Sequence, residues 1–183
     1  MIATIITLAV ILALAFFLVS VYNRLAKSKV LTEEGWSGIG TFLQQRNDLI
    51  PNLVEVVKGF AGHENKTLTD VIKARNESIS ALTPEAQIEA AKHVSQAMLN
   101  LKVLTEQYPQ LQANQNFLHL QDQLGGIEEK INQSRRYYNG TVREYNQLRI
   151  VFPNILVANA MGFKAAIFFQ EDEGARTVPQ VKF

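Results

Sequence analysis

The stretch FLHLQDQLGGIEEKINQSRRYYNGTVREYNQLRIVF, residues 117–152, decides the fold because its apolar side chains recur in alternating steps of three and four. This spacing predicts one long helix whose apolar seam packs against other helices at shallow angles. Gly125-Gly126 and Asn139-Gly140 are typical of turns in isolation, but the phase continues through both pairs, which predicts glycines inside a helix. The seam consists of Phe117, Leu120, Leu124, Ile127, Ile131, Ser134, Tyr138, Thr141, Tyr145, Leu148 and Phe152.

Two further helices precede this one. Residues 33–80 show the same spacing, which predicts a first long helix; its apolar face comprises Trp36, Ile39, Leu43, Ile50, Leu53, Val57, Phe60, Leu68, Val71 or Ile72, and Ile79. Thr83 is a good N-cap, and Pro84 suits a first helical turn, so a second helix starts there and stops at Tyr108-Pro109. The body of the chain is therefore predicted to be all-α.

The C-terminal part of the chain contains less structure. Pro153 ends the third long helix, and a short fourth helix is expected at about residues 154–162. The final EDEGARTVPQVKF, residues 171–183, has no apolar face to bury and is expected to be a loose tail.

The three long helices differ in length. At 1.5 Å per residue the first would extend about 70 Å, the third about 54 Å and the second only about 36 Å, so the second cannot cover both apolar faces. Either the first helix breaks near Gly59 or Gly62, or the uncovered length contacts another subunit. The second alternative predicts a homo-oligomer.

The N-terminus contains a membrane segment. Ile2 to Val21 carries no charge and is about as long as the ~30 Å hydrocarbon core requires. A cleaved signal peptide is the alternative, but no basic residue precedes the apolar run. The basic residues that follow it, Arg24, Lys27 and Lys29, predict a single-pass protein with its N-terminus outside and its body in the cytoplasm. The expected domains are an anchor at 1–21, a helical bundle at 22–152, and a short helix and tail at 153–183.

Composition argues against several functions. A net charge of +1 provides no field for nucleic acid, and without any Cys there is no thiolate metal site or Cys nucleophile. His93 lies four residues from Glu89 and His119 three from Asp122, but no Glu-x-x-His occurs to complete a bundle metal site. No phosphate loop or hydrolase motif is present either. We therefore expect no enzyme activity, no cofactor, no metal and no nucleic-acid partner.

The stretch QQRNDLIPNLVEVVKGFAGHE, residues 44–64, interrupts its own helical face with Arg46 and Pro51. A buried Arg needs a partner, for which the third helix offers Glu128, Glu129 and Glu144. Two interpretations remain open: an ion pair that sets helix register, which we favour, or an inter-helix cleft for an anionic ligand. Pro51 predicts a kink, while Gly59 and Gly62 predict close helix approach or a hinge.

Several ordered blocks resemble the LemA family. They are YNRL at 22–25, Trp36, RNDLIPNLVEVVKGFAGHE at 46–64, AR at 74–75, YPQLQANQNFLHLQDQL at 108–124, RRYYNGTVREYN at 135–146 and FPN at 152–154. The resemblance implies a short N-terminal membrane segment followed by an antiparallel bundle of long helices. It implies no catalytic activity. Gly35, where the family usually has Ala, and Gly125-Gly126 depart from the family pattern.

These observations predict a membrane-anchored scaffold or interaction protein that self-associates through its unequal helices. The alternatives are a sensory module that binds a ligand or peptide near Arg46, and an adaptor to a membrane protease. The expected partners are the lipid bilayer, further copies of the chain and a membrane protein. The candidate structural or interaction residues are Arg46, Asp48, Pro51, Asn52, Gly59, Tyr108, Pro109, Arg136, Tyr138 and Asn139.

Overall fold

The computed structural model describes residues 1–62 and 66–169, and within these ranges it contains helices and no strand. The helices are α1 (Ile2–Ala61), α2 (Lys66–Ser80), α3 (Pro84–Thr105), α4 (Pro109–Gln112), α5 (Gln115–Ile150) and α6 (Asn154–Ala160). The all-α prediction is confirmed. The predicted loose tail at 171–183 and His63 lie outside the described residues.

The described chain forms two compact units. One comprises residues 1–38 and 135–168, and the other comprises residues 39–134 with Phe169. In the first unit, Leu25 lies in a cluster with Leu148, while Trp36 packs against Tyr138, so α1 and α5 run antiparallel. The second unit shows the same arrangement and adds α2, α3 and α4 around a core of Ile50, Val54, Val57, Leu68, Val71, Val94, Leu101, Leu111 and Phe117.

The first predicted long helix is two helices. Of the alternatives left open for residues 33–80, the break near Gly62 is observed, because α1 ends at Ala61 and Gly62 adopts a φ of +82°. Only glycine adopts this left-handed conformation without strain, so the chain can turn there and begin α2. α2 then packs against α3 and buries Leu68, Val71 and Ala74. The excess apolar length is thus covered partly within the chain.

The second and third predicted helices are largely confirmed. Thr83 caps α3 by accepting a bond from the Ala86 amide at 3.2 Å, with Pro84 in the first turn. This helix ends at Thr105, before Tyr108-Pro109, and Pro109 begins the short α4. α5 continues through Gly125-Gly126 and ends at Ile150, so Phe152, predicted to belong to its seam, is 76% exposed.

Residues 163–169 form an extended segment held against α5. The helix α6 stops at a Schellman motif in which the Phe163 amide bonds the Ala158 carbonyl at 2.9 Å and Gly162 adopts a φ of +72°. Asn146 then bonds both the amide and the carbonyl of Ala166, at 2.9 and 2.8 Å. The side-chain amide of Asn146 thereby replaces a backbone partner for this strand-like segment.

Candidate functional site

Arg46 is a buried charge at the centre of the second unit. Its side chain is 1% exposed, and one terminal nitrogen (Nη1) donates to Glu128 Oε1 and to Ser95 Oγ, each at 3.2 Å. The other terminal nitrogen (Nη2) donates to the Ala91 carbonyl at 3.4 Å. α1, α3 and α5 therefore meet at one guanidinium group.

This arrangement matches the ion-pair interpretation of Arg46. Glu128 is one of the three glutamates expected as its partner, and it is 42% exposed, so one charge of the pair remains in contact with solvent. Burying an Arg costs several kcal/mol unless it is paired and hydrogen-bonded, and here it is both. Glu128 therefore already takes a donor of the guanidinium group that an anionic ligand would use.

A groove of about 410 Å³ lies beside this ion pair. Its surface is largely apolar, with Lys102, Thr105, Gln121 and Glu128 as its polar side chains, and Glu128 belongs both to the groove and to the ion pair. Its lining residues are Leu53, Met98, Leu101, Lys102, Thr105, Phe117, Gln121, Leu124, Gly125 and Glu128. A concave apolar surface with few polar groups suits an apolar side chain or a small amphiphile.

Pro51 acts through the carbonyl that it leaves without a helical partner. Because proline has no N–H, the carbonyl of Asn47, four residues earlier, receives no bond from residue 51. Arg75 Nε on α2 donates to that carbonyl at 2.8 Å, and the Asn47 side chain donates to Ser78 Oγ at 2.9 Å. The proline thus creates a docking point for α2, while α1 remains helical through residue 51.

The remaining candidate residues of the second unit lie apart from the groove. Asp48 accepts a bond from Gln44 at 2.8 Å and is exposed, as are Asn52 and Pro109. Tyr108 packs half-buried against the core. A Cβ at Gly59 would meet nothing within 4 Å, so the expected close helix approach at this position was wrong.

The first unit contains an aromatic cluster. Tyr138 is buried, its ring lies 5.2 Å from that of Trp36, and its hydroxyl donates to the Ile167 carbonyl at 2.8 Å. Tyr145 is likewise buried and donates to the Lys164 carbonyl at 2.8 Å. Both tyrosines thus tie the segment 163–169 to α5. Arg136 is exposed and Asn139 half-buried, while the membrane-flanking Arg24, Lys27 and Lys29 are exposed.

Burial raises the pKa of Tyr145, with Lys29 and Arg149 opposing the shift and Glu33 adding to it. The folded state therefore holds the phenolic proton more tightly than the unfolded state does. We expect the contribution of Tyr145 to the free energy of unfolding to be complete below pH 10, the pKa of an unfolded tyrosine, and to fall above it by at most about 1.4 kcal/mol per pH unit. The free energy of unfolding measured between pH 8 and 11 checks this. Tyr145→Phe should reduce the fall in the free energy of unfolding at alkaline pH. Tyr137 is an exposed tyrosine on α5, so Tyr137→Phe should leave that fall unchanged. An unchanged decline in Tyr145→Phe contradicts the assignment.

The two described histidines bond residues other than Glu89 and Asp122, the carboxylates nearest to them in helical spacing. His93 Nδ1 lies 3.1 Å from Glu77 Oε2 on α2, while Glu89 bonds Lys92. His119 lies 3.1 Å from Gln123. In residues 1–62 and 66–169, no three His, Asp or Glu side chains are grouped as metal ligands.

Sequence reasoning missed two groups of functional side chains. The first is the pair Asn47 and Arg75. Pro51, four residues after Asn47, indicates that the Asn47 carbonyl lacks its helical donor, but nothing in the sequence identifies Arg75 as the replacement. The second is Tyr145 with Asn146, which hold the segment 163–169. Tyr145 and Asn146 are neighbours on α5, and their positions do not indicate that they bond Lys164 and Ala166, about 20 residues later in the chain.

Comparisons with known proteins identify a family and several relatives. A model described as "LemA family" matches residues 35–183. Two proteins of Paramagnetospirillum magneticum, magnetosome proteins MamQ 1 and MamQ 2, are each 25% identical over 182 aligned residues, which cover 85% of this chain and 67% of the relative. The magnetosome protein MamQ of Magnetospirillum gryphiswaldense is 22% identical over 203, covering 93% and 75%.

Proposed function

This chain belongs to the LemA family, and on that premise we propose that it is a membrane-anchored helical scaffold. It associates with itself at the membrane surface and has no catalytic chemistry of its own. One observation carries the proposal: α1 runs without interruption from the apolar segment Ile2 to Val21 into the buried core of the bundle. No linker separates anchor from scaffold.

The membrane assignment rests on the first third of α1. Its most apolar window has a mean hydropathy of 2.9 and is not buried against any other part of the described chain. A core helix of a soluble protein would be covered on at least one face. The family and this helix together indicate a membrane-associated helical protein.

For the orientation we propose an external N-terminus and a cytoplasmic body. Arg24, Lys27 and Lys29 follow the apolar segment directly and are exposed on α1. Positive charges are retained on the cytoplasmic side. Because the chain has no Cys, a single cysteine added after Phe183 is a clean probe for an impermeant thiol reagent. Labelling in intact cells would indicate the opposite orientation, with the body outside. Labelling only after lysis supports a cytoplasmic body.

Self-association rests on the groove rather than on helix lengths. The break at Gly62 removes much of the length mismatch, but the groove leaves apolar side chains of α3 and α5 accessible. On α3, Leu99 and Val103 adjoin it in sequence and are each more than half exposed. Solvent-exposed apolar side chains of this kind are typical of a protein–protein interface.

Two neighbouring glycines allow a matched test of the groove. Gly125 lines it, and Gly126 does not, and at both positions an added Cβ would meet nothing within 4 Å. We expect light scattering in mild detergent to give a defined oligomer for the intact chain. Gly125→Leu should fill the groove and reduce the mass, and Gly126→Leu should leave it unchanged. A monomeric intact chain, or equal loss in both variants, refutes self-association through the groove.

The same groove supports a second candidate, a binding module for a peptide or for a membrane protein such as a protease. Lys102 and Glu128 provide charged contacts beside apolar lining residues, a combination that suits an amphipathic helix. A photo-crosslinking residue at Gln121, inside the groove, should capture such a partner in cells, whereas the same residue at the exposed Gln123 should not. Adducts that contain only this chain favour the scaffold.

A further inference from the structure

The first unit exposes an apolar corner where α5 gives way to α6. We define the α5–α6 corner as residues 150–161. Five of its large apolar side chains are each between 54% and 76% exposed: Ile150, Val151, Phe152, Leu156 and Met161. Exposed apolar side chains this close together mark a candidate contact surface.

The position of the corner is set by the opposite face of α6. Val157 and Ala158 are buried there in a cluster with Val21 and Leu25 of α1. Val21 ends the apolar segment of α1, and Leu25 lies one helical turn further, about 6 Å along the axis. The corner therefore lies beside the point at which α1 leaves its membrane-spanning length.

Charge around the corner matches a lipid surface. Residues 148–169 contain two charged side chains, Arg149 and Lys164, and both are basic. Arg24 and Lys27 add two exposed positive charges on the adjacent part of α1. Basic side chains beside apolar ones are attracted to anionic headgroups while the apolar groups enter the acyl region.

The corner has a defined conformation. The Asn154 side chain donates to the Leu148 carbonyl at 3.0 Å and joins α6 to the end of α5. At the other end, Phe163 packs edge-on against Tyr22 of α1, with ring centroids 5.7 Å apart. A tyrosine at this level is typical of the membrane–water interface. The exposed side chains are thus presented by an ordered surface.

We propose that the α5–α6 corner inserts into the bilayer interface beside α1 as a second, monotopic membrane contact. Phe152, Leu156 and Met161 enter the boundary between headgroups and acyl chains, and the flanking basic residues contact phosphates. This inference rests on the proposed function, because it requires α1 to span the membrane. It adds that the bundle is tethered to the lipid surface at two places.

Site-specific quenching tests the corner in the full chain. Single cysteines at Phe152→Cys and Leu156→Cys, labelled with an environment-sensitive fluorophore, are reconstituted in vesicles of phosphatidylcholine and phosphatidylglycerol that carry nitroxide lipids. The control for an exposed site is Glu34→Cys, about 20 Å along α1 from Val21. The control for the anchor is Leu12→Cys, within the apolar segment. We expect blue-shifted emission and nitroxide quenching at 152, 156 and 12, and neither at 34.

Each other outcome identifies a different failure. Quenching at 12 but not at 152 or 156 overturns the corner and leaves the anchor standing. Absence of quenching at 12 overturns the anchor and the corner with it. A third outcome is a blue shift at 152 that nitroxide lipids do not quench and that disappears when each vesicle holds a single chain. This result would show that a second copy of the chain covers the corner, and it would overturn the lipid contact.

Discussion

Replacing Glu128 by leucine should destabilise the chain by roughly 3–5 kcal/mol, whereas replacing Arg46 by methionine should cost about 1 kcal/mol or less. The reason is the unequal burial of the two partners. Arg46 is 1% exposed, so without Glu128 a full positive charge stays in the core. Glu128 is 42% exposed, so without Arg46 its carboxylate can take up water instead.

The double variant provides the sharpest check of this asymmetry. Arg46→Met with Glu128→Leu removes both charges, so it should recover most of the stability that Glu128→Leu loses. Urea unfolding of the full chain in mild detergent, followed by far-UV circular dichroism, measures each difference. Glu129→Leu, which alters an exposed neighbour on α5, serves as the control. If Arg46→Met costs as much as Glu128→Leu, the ion pair does not act as described.

The second large effect concerns the proline in α1. We expect Arg75→Met to cost about 1.5–3 kcal/mol in the natural chain, because it removes a charged donor from the Asn47 carbonyl. In a Pro51→Ala background the same change should cost under about 1 kcal/mol, since residue 51 then supplies an N–H to that carbonyl. Proline interrupts a helix at a cost of about 3 kcal/mol relative to alanine, so Pro51→Ala alone should be neutral or stabilising.

A double-mutant cycle over Pro51 and Arg75 measures this coupling directly. The control is Ser78→Ala, which removes the partner of the Asn47 side chain but leaves its carbonyl bonded. Its cost should be the same with proline or alanine at position 51. Equal costs of Arg75→Met in both backgrounds would show that α2 docks on α1 without help from the proline.

How much the sequence predicts depends on the range of the interaction. Local sequence features identify the candidate membrane segment from its uncharged apolar run, the start of α3 from the capping residue Thr83, and the continuity of α5 through Gly125-Gly126 from its apolar periodicity. Each of these depends on residues within a few helical turns of one another. Local hydrogen bonds, capping and an apolar stripe determine them before any long-range contact forms.

The choice between nearby glycines shows where this local reasoning ends. Gly59 and Gly62 are equally able to break α1, and the helical phase continues past both. The break falls at Gly62, whose φ of +82° lets the chain reverse so that Leu68 and Val71 reach the core. The packing of α2 selects the glycine, and that packing is not encoded within α1 alone.

The sequence by itself predicted a helical chain with a candidate membrane-spanning segment at its N-terminus and a buried charge at Arg46. Only the tertiary structure shows that Glu128, rather than Glu129 or Glu144, pairs with Arg46. It also shows that Arg75 donates to the Asn47 carbonyl, which Pro51 leaves without a helical partner, and that α6 packs beside Val21. The physical reason is that periodicity defines which face of a helix is buried. Which two faces meet, and in what register, is set by contacts between residues far apart in the chain.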